Sequence, residues 1–130
     1  MNLLRSISLT AALTVPAAVK TALHQKYPVI QAKITWEKEK GNYEANWGGK
    51  SGEDTSVMFT PEGAFVEQVL AISPSALPSG VATYVAQHYN GAKITEAGRV
   101  TDVKGATLFE AEIKGKDLRF DANGRYLGVD

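Results

Sequence analysis

The sequence predicts an α+β protein made of two tandem αββββ units. Their strands form one largely antiparallel, roughly eight-stranded curved sheet with the helices on one face. Two observations lead to this prediction. A helical apolar pattern occurs twice, at 16–27 and 78–89, and each copy is followed by short alternating stretches that end in a similar turn, FTPEGAFVE at 59–67 and FDANGRYLG at 120–128.

The two halves of the chain are copies of one another. The helical segments align with an offset of 62 residues and share Pro, Val, Thr, Gln and Tyr at matching positions. YEA at 43–45 aligns with FEA at 109–111, and the offset changes only between such blocks, as expected for equivalent elements joined by loops of different length. A long period that occurs twice indicates two units in one compact domain, 15–72 and 73–130, and not a solenoid.

Each unit is predicted to open with a helix. Pro16 and Pro78 suit a first helical turn, where a missing N–H costs little. Pro28 ends the first helix. Apolar residues recur at i, i+4 and i+8 and therefore share one helix face, namely Val19, Leu23 and Tyr27 in the first helix and Val81, Val85 and Tyr89 in the second.

Four strands are predicted to follow each helix. Their ranges are 31–38, 42–48, 55–60 and 64–71 in the first unit, and 94–103, 107–114, 116–121 and 125–129 in the second. The second strand of each unit alternates apolar and polar residues most clearly. Such alternation predicts an antiparallel sheet with one covered face and one solvent-exposed face. The two helices are the predicted cover, and joining the two sets of strands would remove two exposed edges.

Composition excludes several functional classes. A chain of 130 residues is one domain by size. Its 14 basic and 14 acidic residues balance, so no bulk field attracts nucleic acid or an anionic membrane. The absence of cysteine excludes disulfides and thiol chemistry. No apolar stretch reaches the roughly 20 residues that a transmembrane helix needs.

The first residues leave two interpretations open. One arginine, a short apolar stretch and small residues at 1–14 resemble a short, weakly charged signal peptide or its remnant. Alternatively, the same residues are an N-terminal extension of the first unit.

The motifs also carry a family resemblance. A helix with a leading proline and a closing KYP, then YEA on a strand, then FxxxGxF, resembles the PepSY-like family of bacterial extracytoplasmic proteins. The resemblance covers about 15–130. It implies the beta-lactamase-inhibitor-protein-like fold, a periplasmic or otherwise extracytoplasmic location, and a role in binding or inhibiting other proteins. The family offers no catalytic residues to transfer.

No catalytic, metal or cofactor signature is found in the sequence. His24 and His88 lack a converging third ligand, so no metal site is predicted. There is no Gly-x-Ser-x-Gly motif, and Gly48–Ser51 lacks the spacing of a phosphate-binding loop. Alternating glutamates on a strand are more simply a solubility device than a paired-carboxylate site. We therefore expect a protein that is not an enzyme and needs no cofactor.

The predicted function is a non-enzymatic binding module that holds a protein partner, such as a peptidase or other enzyme that it inhibits, on the helix-free sheet face. The alternative is a carrier for a small molecule or peptide in the concave sheet surface. Trp36 is the predicted apolar anchor, although its face depends on where the Lys40–Gly41 hairpin closes. The 48–54 loop is a second candidate. The predicted site residues are Trp36, Glu44, Asn46, Lys50, Glu110, Glu112, Lys114 and Arg119.

Overall fold

A computed structural model of the protein describes residues 13–130. The segment 1–14, interpreted above as a signal remnant or an N-terminal extension, lies outside the described residues except for its last two positions. Two helices and eight strands follow one another along the chain. They are α1 (Ala17–Lys26), β1 (Thr35–Glu39), β2 (Asn42–Trp47), β3 (Thr55–Phe59), β4 (Phe65–Ile72), α2 (Ser79–His88), β5 (Glu96–Asp102), β6 (Thr107–Ile113), β7 (Lys116–Asp121) and β8 (Tyr126–Val129).

The α+β prediction is confirmed. The eight strands form one sheet in the order β1-β2-β3-β4-β5-β6-β7-β8, and the registered pairs are antiparallel. Seven strands lie within two residues of their predicted bounds. The first begins at Thr35 and not at 31, because 29–34 carry no regular structure. None of the helices in 13–130 has the length and apolar character that crossing a bilayer requires.

The described residues divide into two compact units, 13–69 and 70–130. In unit 1 the core lies between α1 and one face of the strands. Val19 and Leu23 of the helix are buried against Tyr43, Ala45 and Phe59. The i, i+4 spacing of the helical pair therefore does bury one helix face. Each fully buried side chain of this size stabilises the fold by about 1.5–3 kcal/mol.

The core of unit 2 is built in the same way. Val81 and Val85 of α2 are buried against Ala111, Leu118 and Phe120. An aromatic group extends this core outward, since the Tyr84 ring stacks on Tyr126 with centroids 4.2 Å apart. Because successive side chains of a strand point to opposite faces, β6 and β7 place these core residues against the helix and their neighbours on the opposite face.

The closing turn of each unit is fixed by the side chain at its start. In unit 2 the Asp121 carboxylate accepts hydrogen bonds from the backbone N–H groups of Asn123 and Arg125, both at 2.9 Å. These bonds hold the pKa of Asp121 below its usual value. In unit 1 the Thr60 hydroxyl accepts the equivalent bond from the Ala64 N–H at 3.1 Å. The repeated turn is therefore a local structure that its first residue determines.

Candidate functional site

Unit 1 places two rows of side chains on its helix-free face, the face of the strands that points away from the helix. Residues directly opposite one another on antiparallel strands share a face. The register of β1, β2 and β3 therefore aligns Thr35, Asn46 and Ser56, which we call the neutral row. The adjacent row consists of Glu37, Glu44 and Met58.

Unit 2 has two rows at the equivalent positions of β5, β6 and β7. The first aligns Glu96, Glu112 and Asp117, and we call it the acidic row. The adjacent row aligns Gly98, Glu110 and Arg119. These four rows contain five of the eight residues that the sequence analysis selected, and each unit holds its own share of them.

The prediction that these side chains face solvent is wrong for four of them. Glu44 and Glu110 are 3% exposed, Asn46 is 1% exposed and Glu112 is 3% exposed. Alternation assigns a side chain to a face of the sheet, but it does not say whether that face is covered. Opposite side chains on neighbouring strands lie about 4.5–5.5 Å apart at Cβ and can cover one another.

A buried hydrogen bond lies at the centre of the neutral row. Ser56 Oγ donates to Asn46 Oδ1 at 2.6 Å. The other polar atom of the same side chain, Asn46 Nδ2, is buried and donates no hydrogen bond to any described residue. The row therefore pairs the amide oxygen of Asn46 and leaves its buried amide nitrogen without a partner among the described residues.

Glu112 of the acidic row, which corresponds to Asn46 of the neutral row, also has a buried polar atom without a partner among the described residues. Thr95 Oγ1 donates to Glu112 Oε1 at 2.6 Å. Glu112 Oε2 is buried and accepts no hydrogen bond from the described residues. Asp117, directly opposite, is only 7% exposed. Burial, followed by the negative charges of Glu110 and Glu112, raises the pKa of Asp117 to about 7.

Arg119 supplies positive charge to the adjacent row. Its Nε donates to Glu110 Oε2 at 2.8 Å, and its Nη2 donates to Asp130 Oδ2 at 3.3 Å. Burial raises the pKa of Glu110, and the Arg119 charge opposes that rise. This arrangement is typical of a half-buried guanidinium that holds two carboxylates.

The prediction that Trp36 anchors the helix-free face is wrong. The β1–β2 hairpin closes at Lys40–Gly41, and both residues have positive φ, 51° and 82°. That turn pairs Trp36 with Ala45, whose side chain lies in the core beneath α1. Trp36 is half-buried and packs against the unit 1 core.

The two predicted lysines lie outside the rows. Lys114 and Gly115 form the two-residue turn between β6 and β7, with φ values of 50° and 80°. Lys114 is therefore exposed in a turn and does not continue the alternation of β6. Lys50 is exposed in the 48–54 loop.

The longer loop of unit 1 has a defined conformation. The Asp54 N–H donates to the Gly48 carbonyl at 3.1 Å. Gly49 has a φ of 70°, which favours glycine, and a Cβ there would lie 2.2 Å from the Asp54 carboxylate, so that side chain would have to move. Its side chains form no row with the sheet residues above, and the loop remains a separate candidate for binding.

The sequence analysis missed three residues that complete the rows. Ser56, Asp117 and Thr95 supply the hydrogen bonds or charges next to Asn46 and Glu112. The signal for Asp117 was present, because it alternates with the core residues Leu118 and Phe120. Within 13–130 there is no group of three histidine, aspartate or glutamate side chains placed to hold a metal ion.

Several solved structures from Bacteroides have a similar fold. A protein provisionally called periplasmic, from Bacteroides eggerthii, matches with a TM-score of 0.71 and 21% identity, over 91% of this chain and 89% of its own. A DUF2874 family protein from Bacteroides uniformis matches with a TM-score of 0.66 and 22% identity, over 88% of each chain. A BLIP-like protein from Bacteroides fragilis matches with a TM-score of 0.64 and 24% identity, over 93% of this chain and 89% of its own.

These similarities establish the fold that the resemblance implied, since the beta-lactamase-inhibitor-protein-like architecture is present among the matching structures. No protein-family model matches the chain, and no curated protein matches it significantly. The assignment to the PepSY-like family therefore remains a prediction.

Proposed function

We propose that the protein is a non-enzymatic extracytoplasmic binding module that holds a protein partner on the helix-free face of its sheet. The observation that carries this proposal is the unused hydrogen-bonding capacity of that face. Asn46 Nδ2 and Glu112 Oε2 are buried polar atoms without a partner among residues 13–130, and they occupy equivalent positions in the two units.

Unused polar atoms of this kind are costly in a folded protein. Leaving a buried donor or acceptor unpaired costs about 1–3 kcal/mol. Because both atoms are buried, a partner reaches either of them only when the groups that cover it move aside. A partner that then offers an acceptor to Asn46, or a donor to Glu112, would recover that energy on binding. Buried polar groups that lack partners are uncommon in native structures, so two at matching positions favour a functional explanation over chance.

The fold comparisons support a protein as the partner. The Bacteroides fragilis structure is described as BLIP-like, and inhibition of an enzyme would be one form of such binding. An extracytoplasmic location is supported by the provisional periplasmic description of the Bacteroides eggerthii protein. The rows of each unit cross three strands, which suits an extended contact surface more than a pocket for a small ligand.

The proposal can be tested by photo-crosslinking in the source cells. A photoreactive amino acid placed at Thr35 or Glu96, both exposed on the helix-free face, should yield a defined protein adduct. The same label at Ala86, exposed on α2, is the matched control. The partner is then purified and its affinity measured directly.

Arginine at Thr35 or Glu96 should weaken that affinity at least tenfold, whereas Ala86→Arg should not. Equal weakening by all three substitutions would reject the helix-free face as the binding surface. Adducts that contain only small molecules would favour the carrier function.

A further inference from the structure

Tyr84 of α2 and Tyr126 of β8 form a stacked pair at the outer edge of the unit 2 core. Their ring centroids are 4.2 Å apart and their ring planes differ by 14°. Both side chains are half-buried, so part of each ring is accessible to solvent. The fold therefore holds two phenols that are distant in the sequence in direct contact with one another.

The hydroxyl groups of the pair also lie together. Burial raises the pKa of Tyr84, and the charge of Tyr126 and a hydrogen bond with its hydroxyl group raise it further. Because the ring planes are nearly parallel, neighbouring hydroxyl groups bring the ortho carbons beside them together as well. The ortho carbons are the positions at which two oxidised phenols join. The centroid separation is already close to that of two phenyl rings linked by a single bond.

Neighbouring rings fix the pair from both sides. Phe120 is fully buried and meets Tyr84 and Tyr126 edge-on, with both centroid distances 5.7 Å. The His88 ring stacks on Tyr84 at 4.2 Å. Two rings at this distance cannot share one face of Tyr84, so His88 covers the face opposite Tyr126. A tyrosine of a second molecule therefore cannot stack on Tyr84.

Unit 1 shows that the fold does not require two tyrosines here. The equivalent positions are Ala22 on α1 and Phe65 on β4. The Lys26 Nζ, at the position equivalent to His88, lies 4.3 Å from the centroid of the Phe65 ring. The pair of phenols is thus a property of unit 2 alone, and packing does not explain it.

We propose that Tyr84 and Tyr126 are a site of oxidative crosslinking, at which a peroxide, acting through a haem peroxidase, joins the two rings by a carbon–carbon bond. The crosslink would tie α2 to the last strand of unit 2. This inference is independent of the proposed binding function and concerns a different part of the molecule.

The reaction balances without any further reactant. Each phenol gives up one electron and its hydroxyl proton, which leaves a neutral radical with unpaired density on the ortho carbon. The two ortho carbons form a bond, and the hydrogen on each then moves as a proton to its phenolic oxygen. The pair loses two electrons and two protons in total. One hydrogen peroxide molecule takes them up and becomes two water molecules.

The crosslink can be located by peptide mapping. The probe is hydrogen peroxide with a haem peroxidase, added to dilute purified protein. Tyr126 lies in the tryptic peptide 126–130, and the peptide 51–93 contains Tyr84 and Tyr89 as its only tyrosines. Mass spectrometry should find these peptides joined, with the loss of two hydrogen atoms, in a monomeric product that shows dityrosine fluorescence. Urea-unfolded protein should give at least tenfold less of this product.

Three variants assign the reacting rings. Tyr84→Phe and Tyr126→Phe each keep the ring and remove one phenol, so each should lower the yield at least tenfold. Position 126 carries phenylalanine in the equivalent place of unit 1, so the second variant should remain folded, which circular dichroism checks. Tyr89→Phe is the matched control, because the Tyr89 centroid lies 6.4 Å from that of Tyr84 in a tilted arrangement. It should crosslink like the parent protein.

Several results would overturn the inference. A crosslink that persists in Tyr84→Phe would assign the reaction to Tyr89. Products that are only dimers, or a yield that unfolding does not change, would show that the stacked geometry does not direct the coupling. The crosslinked protein should also unfold at a higher urea concentration than Tyr126→Phe treated in the same way, since a covalent link constrains the unfolded chain. Equal midpoints would reject the stabilising role of the crosslink.

Discussion

Gly80 and Gly124 lie against one another so closely that neither position has room for a side chain. A Cβ on Gly80 would lie 2.8 Å from the Gly124 carbonyl oxygen. A Cβ on Gly124 would lie 3.0 Å from Pro78 Cβ. The closing turn of unit 2 therefore rests directly on the first turn of α2, and this contact explains the glycine in the repeated turn motif.

The contact predicts a stability difference between two glycines of similar conformation. Gly124 and Gly105 have φ values of 85° and 82°, but nothing lies within 4 Å of a Cβ on Gly105. Gly105→Ala should cost about 1–2 kcal/mol of unfolding free energy, from backbone strain alone. Gly124→Ala should cost about 1–2 kcal/mol more, because the added methyl also displaces the helix. Urea unfolding of both variants measures the difference. Equal losses of unfolding free energy would mean that the turn can move away from the helix at no cost.

The acidic row predicts that stability falls as pH rises. Asp117 has an ordinary pKa of 3.8 and a folded-state pKa of about 7, and it faces Glu110 and Glu112, with Asp130 adding further negative charge. The folded state therefore binds more protons than the unfolded state between these values. The unfolding free energy should decrease from about pH 4 to pH 7 and level off above it, with a total change of at most about 4 kcal/mol.

Asp117→Asn should remove the share of this decrease that Asp117 contributes, since the amide does not titrate, and should leave only the share of Glu110, whose pKa burial also raises. Denaturant unfolding between pH 4 and pH 8 measures both profiles. Glu62→Gln, which alters an exposed turn carboxylate, should keep the decrease. A decrease that persists unchanged in Asp117→Asn would assign it to another group.

The neutral row predicts energetic coupling between its two buried members. Ser56→Ala leaves Asn46 Oδ1 without its donor and should cost about 1–3 kcal/mol. Asn46→Ala removes both the acceptor and the unused amide N–H. A double-mutant cycle of the two substitutions should therefore give a coupling energy of about 1 kcal/mol. Additive losses would show that the 2.6 Å contact contributes nothing to stability.

Trp36 should act on stability and not on binding. Because the side chain is half-buried against the unit 1 core, Trp36→Ala should cost about 2–3 kcal/mol, less than a fully buried tryptophan. Trp36→Phe retains most of the packing and should cost under about 1.5 kcal/mol. Unfolding and partner affinity are measured on the same variants. A tenfold loss of affinity with unchanged stability would return Trp36 to the binding surface.

The fold was predictable because its elements carry strong periodic signals. The spacing of Val19, Leu23 and Tyr27 predicted α1 to within one residue at each end, and the repeat then located α2. The start of β1 was misplaced because 29–34 carry turn and apolar residues with no clear period. The closing turns were recognisable because their residues determine their structure locally.

The candidate site was less predictable for two physical reasons. Alternation placed Glu44 and Glu112 on the correct face, but burial depends on neighbours from other strands, which a single strand does not specify. The face on which Trp36 lies depended on the register of one hairpin, because a shift of one residue moves a side chain to the other face of the sheet. Pairing Glu112 with Asp117 likewise required the register of β6 and β7.

The strand order has a consequence for how the protein folds. Every strand pairs with the strand next to it along the chain, and two of the connections are the two-residue turns at Lys40–Gly41 and Lys114–Gly115. Pairings that are close in sequence give a low contact order, which favours fast folding for a sheet of this size. A two-residue hairpin closes in about 1–10 μs, far faster than a ribosome adds residues. The sheet can therefore grow one hairpin at a time during synthesis, without waiting for segments that have yet to be made.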